Sequence, residues 1–166
     1  METAVSQKNR EDDEQKVIRR FCTFRLSGRL YGVDIQDVKE INTEISSTPI
    51  FHAPKEIRGY INVRGQVYLL LDLRMIFGFE EKEVDHESRV ILFMPAVGDP
   101  CGILVDKIDD VVTVDDNLIE NRRKGKDEHD GLERRSSDVG EGVCKLKDEL
   151  LIILNARKLF NAIKRF

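Results

Sequence analysis

The histidines and cysteines of the chain lack the spacing of a metal or nucleophile site. His52, His86 and His129 stand in three separate polar stretches, with no paired ligand spacing. The three cysteines are far apart in the sequence, and no Cys-x-x-Cys pair occurs. Zinc ribbons and thioredoxin-type redox motifs both need such a pair. The sequence therefore predicts no metal site, and the cysteines are interpreted as small buried residues of strands.

Acidic residues are frequent, but their arrangement does not suit general acid–base catalysis. Asp109-Asp110 and Asp115-Asp116 are adjacent pairs, and neighbouring residues of a strand point to opposite faces of the sheet. The sequence contains no His-Glu-x-x-His, Gly-x-Ser-x-Gly or Gly-x-x-x-x-Gly-Lys-Ser/Thr motif. The common signatures of metalloproteases, serine hydrolases and P-loop enzymes are therefore missing. We predict that the protein is not an enzyme, with no catalytic residue and no cofactor.

Binding is the other chemistry that the residues offer, and Arg64 is the first candidate. It precedes a glycine at the predicted tip of a hairpin, two residues after Asn62. A guanidinium group in that position can form paired hydrogen bonds to carboxylates or carbonyls of a partner, although an arginine in a turn is by default only solvated. Glu40 is by default an exposed residue of a short helix, and Val38 is by default part of the core.

Strand-like segments separated by turn residues position these candidates. Hairpins are predicted around Ser27-Gly28, Arg64-Gly65 and Asp148-Glu149, because each turn lies between runs of aromatic, β-branched and aliphatic residues. Two further strands are predicted over 89–94 and 101–105. The predicted class is mainly β.

Helices are predicted where a capping residue precedes apolar positions with helical spacing. Asp34 predicts a short helix that extends to Ile41, and Asp72 predicts another that Gly78 ends. Residues 54–59 predict a helical turn, since Pro54 suits its first position and Gly59 its end. A closing helix starts near Ala156, where apolar residues recur at intervals of three and four.

An internal repeat relates the two halves of the chain. A shift of 83 positions places Gly142 on Gly59 and Phe160 on Phe77, and a shift of 70 positions places Ile108 on Val38. Each repeated unit has about five strands and is too small to bury both faces of its sheet alone. The repeat therefore predicts two small β-barrels that share a central hydrophobic layer.

Composition limits the remaining classes of protein. The chain has 166 residues, 40% of them hydrophobic and 35% charged, and a net charge of −4. A nucleic-acid-binding small barrel usually carries a basic surplus and exposed aromatic residues, whereas this chain has 7% aromatic residues and no tryptophan. No secretory signal and no apolar run of membrane-spanning length are present, which predicts a cytoplasmic protein without direct membrane insertion.

Two segments are predicted to lie outside the packed domain. Residues 1–16 are strongly charged and predict a disordered tail, so that the domain spans 17–166. Residues 115–141 are dominated by charged side chains and predict a long loop.

Four motifs follow one another in the first half of the chain. They are Tyr31-Gly32-Val33-Asp34-Ile35, Val38-Lys39-Glu40-Ile41, Ile57-Arg58-Gly59-Tyr60-Ile61-Asn62-Val63-Arg64-Gly65 and Leu71-Asp72-Leu73-Arg74. The second half repeats part of the pattern, at 102–106 and 150–155. In this order the motifs resemble the CheW family of chemotaxis coupling proteins, and the resemblance covers about residues 20–163.

The resemblance implies a fold, a function and a set of binding residues. The fold is two intertwined five-stranded SH3-like β-barrels with short helices and a C-terminal helix. The function is that of a non-catalytic adaptor, which joins the cytoplasmic tips of methyl-accepting chemoreceptors to the regulatory domain of the histidine kinase CheA. Further copies of the same protein are implied as additional partners. By position, the implied partner-binding residues are Val38, Glu40, Gly59, Asn62, Arg64, Ile108 and Val111.

Two alternatives stay open at the level of sequence. One is a paralogue of the adaptor that serves another chemosensory array, which the sequence does not separate from the first interpretation. The other is a nucleic-acid-binding small barrel, which the charge and the aromatic content disfavour.

Overall fold

Strands make up most of the computed structural model, which describes residues 16–121 and 138–163. The helical elements that lie wholly within these ranges include the 3₁₀ turns Ile35–Asp37 and Asp116–Leu118 and the α-helices α1 (Leu73–Ile76) and α2 (Ala156–Ile163). No helix within these two ranges is long and apolar enough to cross a membrane. The strands are β1 (Ile18–Leu26), β2 (Arg29–Asp34), β3 (Val38–Asn42), β4 (Ile57–Val63), β5 (Gln66–Asp72), β6 (Arg89–Phe93), β7 (Cys101–Val105), β8 (Lys107–Asp115), β9 (Ile119–Glu120), β10 (Gly140–Lys145) and β11 (Leu150–Leu154).

The strands form two sheets, and the strands of one sheet both precede and follow those of the other in the sequence. One sheet has six strands in the order β8-β1-β2-β11-β10-β9, and the other has five in the order β3-β6-β7-β5-β4. The chain begins in the six-stranded sheet, leaves it to build the whole five-stranded sheet, and then returns. The prediction of five strands in each unit is wrong for the first sheet, because the two-residue strand β9 adds to the edge of β10.

The six-stranded sheet closes on itself as a small barrel. Strands β8 and β9 lie at its opposite edges, yet only the three residues Asp116–Leu118 separate them. So short a connection spans at most ~14 Å, whereas six flat strands would place the edges roughly 24 Å apart. The sheet therefore has to curl until its edges meet.

Three hydrophobic clusters fill the fold. The largest combines residues of both sheets, including Phe24 and Val33 of the six-stranded sheet and Leu71 and Ile103 of the five-stranded sheet. Each barrel has a separate smaller cluster, one around Phe21 and the other containing several residues of β4 to β7. The large cluster is the central layer that the repeat predicts.

The repeat corresponds to real equivalences between the barrels. Strands β2 and β7 are equivalent, as are β3 and β8, and the hairpin β4–β5 with α1 matches β10–β11 with α2. Both helices begin at a capping side chain: Asp72 accepts hydrogen bonds from the N–H groups of Arg74 and Met75, and Asn155 accepts one from the N–H of Lys158.

Two helical predictions are wrong. Asp34 caps only the 3₁₀ turn Ile35–Asp37, and residues Val38–Asn42 form a strand paired with β6. A bulge between Val38 and Glu40 disturbs the alternation of that strand, so its apolar spacing imitates a helix. In residues 54–59 the turn ends with the N–H of Ile57 bonded to Pro54, and Gly59 lies inside β4.

Two other predictions lie mainly outside the described residues. The predicted tail over 1–16 has only residue 16 within the described ranges. Of the predicted loop over 115–141, the described ends contain the 3₁₀ turn, β9 and the beginning of β10. These ends are therefore part of the sheet.

Candidate partner-binding surface

The backbone conformation of the turn that carries Arg64 sets the direction in which its side chain leaves the chain. Arg64 and Gly65 both have positive φ, 49° and 83°, as a two-residue type I′ hairpin turn requires. The Asn62 side chain accepts a hydrogen bond from the N–H of Gly65 (2.9 Å). The predicted hairpin is confirmed, with Val63 opposite Gln66, and Asn62 serves first to stabilise its turn.

Arg64 is exposed but held by one carboxylate. Its side chain is 74% exposed, and its Nη2 atom donates a hydrogen bond to Oε2 of Glu40, whose side chain is 22% exposed. Glu40 lies on β3 and Arg64 at the end of β4, the two opposite edges of the five-stranded sheet. The ion pair therefore also shows that this sheet curls into a barrel. Much of the guanidinium group stays accessible to a partner.

A second contact links β3 to the strand next to the opposite edge of the sheet. The Lys39 ammonium group donates to the hydroxyl of Tyr68 (3.0 Å) on β5 and lies 5.7 Å from the centre of its ring. Strand β3 thus contacts the hairpin β4–β5 through two adjacent charged side chains, Lys39 and Glu40. This contact has no signature in the sequence, because it depends on the closure of the barrel.

The outer face of the hairpin β4–β5 carries apolar residues that the sequence analysis does not select. Tyr60 and Val67 are both about half exposed. Asn62, two residues after Tyr60 on β4, lies directly opposite Val67 of β5. Tyr60 and Asn62 alternate with the buried Ile61. That alternation is the signal that would have identified an outward face with an aromatic residue on it.

Gly59 is buried and holds the edge of β4 against a neighbouring segment. Its φ is +138°, and a Cβ atom built on it would lie 2.7 Å from the carbonyl carbon of Thr48. Thr48 pairs with Tyr60 through two backbone hydrogen bonds of 2.7 and 2.9 Å. The geometry thus assigns Gly59 a role in packing, and it exposes no side chain that a partner could contact.

The remaining predicted residues lie along the central hydrophobic layer. Val38 of β3 and Ile108 of β8 are partly buried and pack against this layer from equivalent strands. Val111 is 48% exposed, and its repeat equivalent Ile41 is similarly exposed. Strands β3 and β8 therefore each carry one apolar residue packed against the edge of the central layer, Val38 or Ile108, and one exposed apolar residue, Ile41 or Val111.

The structure places the predicted residues with side chains in two sets. Glu40, Asn62 and Arg64 form the tip of the five-stranded barrel. Val38, Ile108 and Val111 belong to strands bordering the central layer, and β3 links the sets because it carries both Val38 and Glu40. Strand β3 thus contributes Glu40 to a charged tip and Val38 to an apolar rim, whose other residues, Ile108 and Val111, lie on β8.

Within the described residues, the cysteines and the potential metal ligands lie apart from one another. The three cysteines are buried, and burial together with the charge of Asp99 raises the pKa of the Cys101 thiol to about 11. No cluster of three or more potential metal ligands occurs within 16–121 and 138–163. A cleft between α1 and the 82–88 segment has a volume of about 10 Å³, which is at the limit for a single water molecule.

Comparisons with known proteins agree with this architecture. The family described as "CheW-like domain" matches residues 20–164. A protein named chemotaxis protein CheW from Bacillus subtilis (strain 168) is 29% identical over 150 residues, with 89% of this chain and 90% of that protein covered. The corresponding protein of Treponema pallidum (strain Nichols) is 27% identical over 143 residues, with 84% and 81% covered.

A solved structure also has this fold. The crystal structure of scaffolding protein TtCheW from Thermoanaerobacter tengcongensis superimposes with a TM-score of 0.71 at 31% identity, and covers 83% of this chain and 89% of that one. The predicted mainly β fold with two SH3-like units is confirmed.

Proposed function

The chain belongs to the CheW family, and we propose that it is a non-catalytic scaffold that couples methyl-accepting chemoreceptors to the histidine kinase CheA. Support comes from its relatives, which are named chemotaxis proteins, and from the similar solved structure, which is that of a scaffolding protein. On this proposal the protein works in the cytoplasm, at arrays of membrane-bound receptors.

The observation that carries the proposal is the exposed, pre-oriented Arg64 at the tip of the five-stranded barrel. Its backbone is set by the turn and its side chain by Glu40, so little conformational entropy remains to be lost on binding. Arginine and tyrosine are typical of the residues that contribute most to protein–protein affinity, and the tip presents Arg64 together with the half-exposed Tyr60. The tip therefore suits the regulatory domain of CheA, which would meet it barrel to barrel.

The apolar rim suits the second partner. Val38 and Ile108 border the central layer, with Val111 exposed beyond them. An α-helix can bury an apolar face against such a rim, and the tip of a chemoreceptor is a bundle of helices. We assign the receptor to this rim, so that it would contact strands of both barrels.

Arg64→Glu tests the assignment of the hairpin tip. We expect its affinity for the CheA regulatory domain from the same organism to fall by at least about tenfold, because the substitution reverses a charge at the centre of the contact. The thermal midpoint should change little, since the Arg64 side chain is mostly exposed. Isothermal titration calorimetry measures the affinity, and circular dichroism measures the midpoint.

Arg29→Glu is the matched control. Arg29 is an exposed arginine directly after the turn of the first hairpin, on the other barrel, so its reversal changes the net charge equally. Loss of binding in both variants would indicate a general electrostatic effect. Undiminished binding by Arg64→Glu would remove the tip from the interface, and no binding by the wild type would contradict the proposed partner.

A further inference from the structure

Asp106 forms hydrogen bonds or salt bridges to both barrels, at the point where the chain passes from one barrel to the other. It stands between β7 of the five-stranded sheet and β8 of the six-stranded sheet. Its Oδ2 atom accepts a hydrogen bond from the N–H of Ser27 (2.9 Å), and its own N–H donates to the carbonyl of Arg25 (3.1 Å). Both of those residues belong to the first hairpin, so the crossover is bonded to the six-stranded barrel.

Arg74 connects the same carboxylate to the five-stranded barrel. Its Nη1 atom lies 2.6 Å from Oδ2 of Asp106, and the two side chains are only 13% and 14% exposed. Its Nε donates to the carbonyl of Glu80 (2.8 Å), and the guanidinium group lies 5.9 Å from the centre of the Phe79 ring. The planar group is therefore held from several sides, as an arginine permits and a lysine does not.

Asp106 also supports the turn of the first hairpin, through its hydrogen bond from the N–H of Ser27. Ser27 has a φ of 51° and Gly28 one of 79°, so a non-glycine residue occupies the left-handed region at an energetic cost. A carboxylate at the N–H of Ser27 stabilises that conformation from the other side of the crossover. Breaking the pair between Arg74 and Asp106 would loosen the turn as well as the crossover.

The equivalent junction of the molecule has no such pair. Arg157 of α2 corresponds to Arg74 of α1 by the shift of 83 positions. Its side chain is exposed, and it forms no salt bridge within the described ranges. Within the part of the chain that the structure describes, a shielded ion pair thus joins the barrels at one of the two equivalent places, and the exposed Arg157 is a matched control for Arg74.

We propose that Arg74 is a positioning residue that, through Asp106, sets the orientation of the two barrels relative to each other. Strand β8 begins immediately after Asp106 and carries Ile108 and Val111, whereas Val38 lies on β3 in the other barrel. The pair between Arg74 and Asp106 therefore determines how the two halves of the apolar rim face one another. This inference rests on the proposed function only where it concerns the partners.

A distance measurement tests the orientation without any partner. Spin labels on cysteines introduced at Gln66 and Lys147, exposed residues of equivalent hairpin turns, report the separation of the two barrels by pulsed electron paramagnetic resonance. The native cysteines are buried and should not react. We expect Arg74→Met to shift or broaden the distance distribution, and Arg157→Met to leave it as in the wild type.

Binding measurements then test whether the orientation matters. A receptor cytoplasmic fragment, which would contact both barrels, should bind Arg74→Met about tenfold more weakly, because the rim is no longer pre-arranged. The CheA regulatory domain, which would contact one barrel at its tip, should bind within about twofold of wild type. A residue that only stabilised the fold would affect both partners alike. Where Arg74→Met fails to fold, Asp106→Asn replaces it, since the amide keeps the shape of the carboxylate.

The outcomes separate the two proposals. An unchanged distance distribution in both Arg74→Met and Asp106→Asn would overturn the positioning role, whatever the binding result. A changed distribution with equal loss for both partners, or with no loss for either, would overturn the link between orientation and the rim. Failure of the wild type to bind either partner would contradict the proposed function, and the distance distribution would still decide the role of Arg74.

Discussion

Replacement of Gly59 by alanine tests whether this residue serves the fold or the partner. A methyl group at that position would stand 3.0 Å from Cα of Pro49 and closer still to the carbonyl group of Thr48, all backbone atoms that cannot rotate away. The φ of +138° adds strain, because that region is accessible almost only to glycine. The expected primary effect is therefore on stability.

The cost follows from two contributions. The backbone strain amounts to about 1–3 kcal/mol. Relief of the overlap separates Thr48 from Tyr60 and breaks their two backbone hydrogen bonds, at about 1 kcal/mol each. The free energy of unfolding should thus decrease by roughly 3–5 kcal/mol, a large fraction of the 5–15 kcal/mol typical of a domain.

Urea unfolding followed by circular dichroism measures this cost, with Gly65→Ala as the control. Gly65 also has a positive φ, 83°, but a Cβ atom there would meet nothing within 4 Å, so we expect only the cost of the left-handed conformation, about 1–2 kcal/mol. Equal losses for the two variants would refute the reasoning, since they would show that contact with Thr48 contributes nothing. A fully stable Gly59→Ala that no longer binds the CheA domain would return Gly59 to the interface.

Two further predictions concern the acid dependence of stability. The pKa of Asp109 is lowered by the N–H of Asp110 and by Arg25, and the pKa of Glu149 is lowered by Arg25. A carboxylate whose pKa is lowered by folding stabilises the folded state. That contribution is complete above the ordinary carboxyl pKa near 4 and is lost as the pH falls through the lowered pKa. Arg25→Met should therefore lower the thermal midpoint at pH 7 and have much less effect near pH 2, and an equal decrease at both pH values would contradict the role of the ion pairs. Asp37 is the opposite case, because burial and then the charge of Asp34 raise its pKa, so its ionisation opposes folding above the raised value. Asp37→Asn should raise the midpoint at pH 7 but not at pH 3, and a variant less stable than wild type at pH 7 would contradict this.

Turns and caps are predictable from the sequence because their chemistry is local. Arg64-Gly65 specifies a hairpin through the backbone conformations that its residues accept, and Asp72 begins a helix because its side chain reaches N–H groups two and three residues later. The sequence repeat likewise predicts two similar units, since equivalent residues recur at constant shifts.

The strand β3 shows where local reasoning fails. A capping Asp34 and apolar residues three apart satisfy the rules for a helix, but pairing with β6 gives the backbone of Val38–Asn42 its hydrogen bonds. That partner lies about fifty positions further along the chain. Local spacing therefore cannot separate a bulged strand from a short helix.

The order of residues along the chain was enough to specify the class of the fold, the hairpins with their turns, the cap of α1 and the residue types at the candidate interface. Which residues contact one another is decided only by the tertiary structure: Glu40 with Arg64 across the closed barrel, Gly59 with the backbone of Thr48, and Arg74 with Asp106 between the barrels. Turn and cap preferences depend on atoms within a few residues, whereas these contacts exist only after two sheets have curled and packed against a common hydrophobic layer.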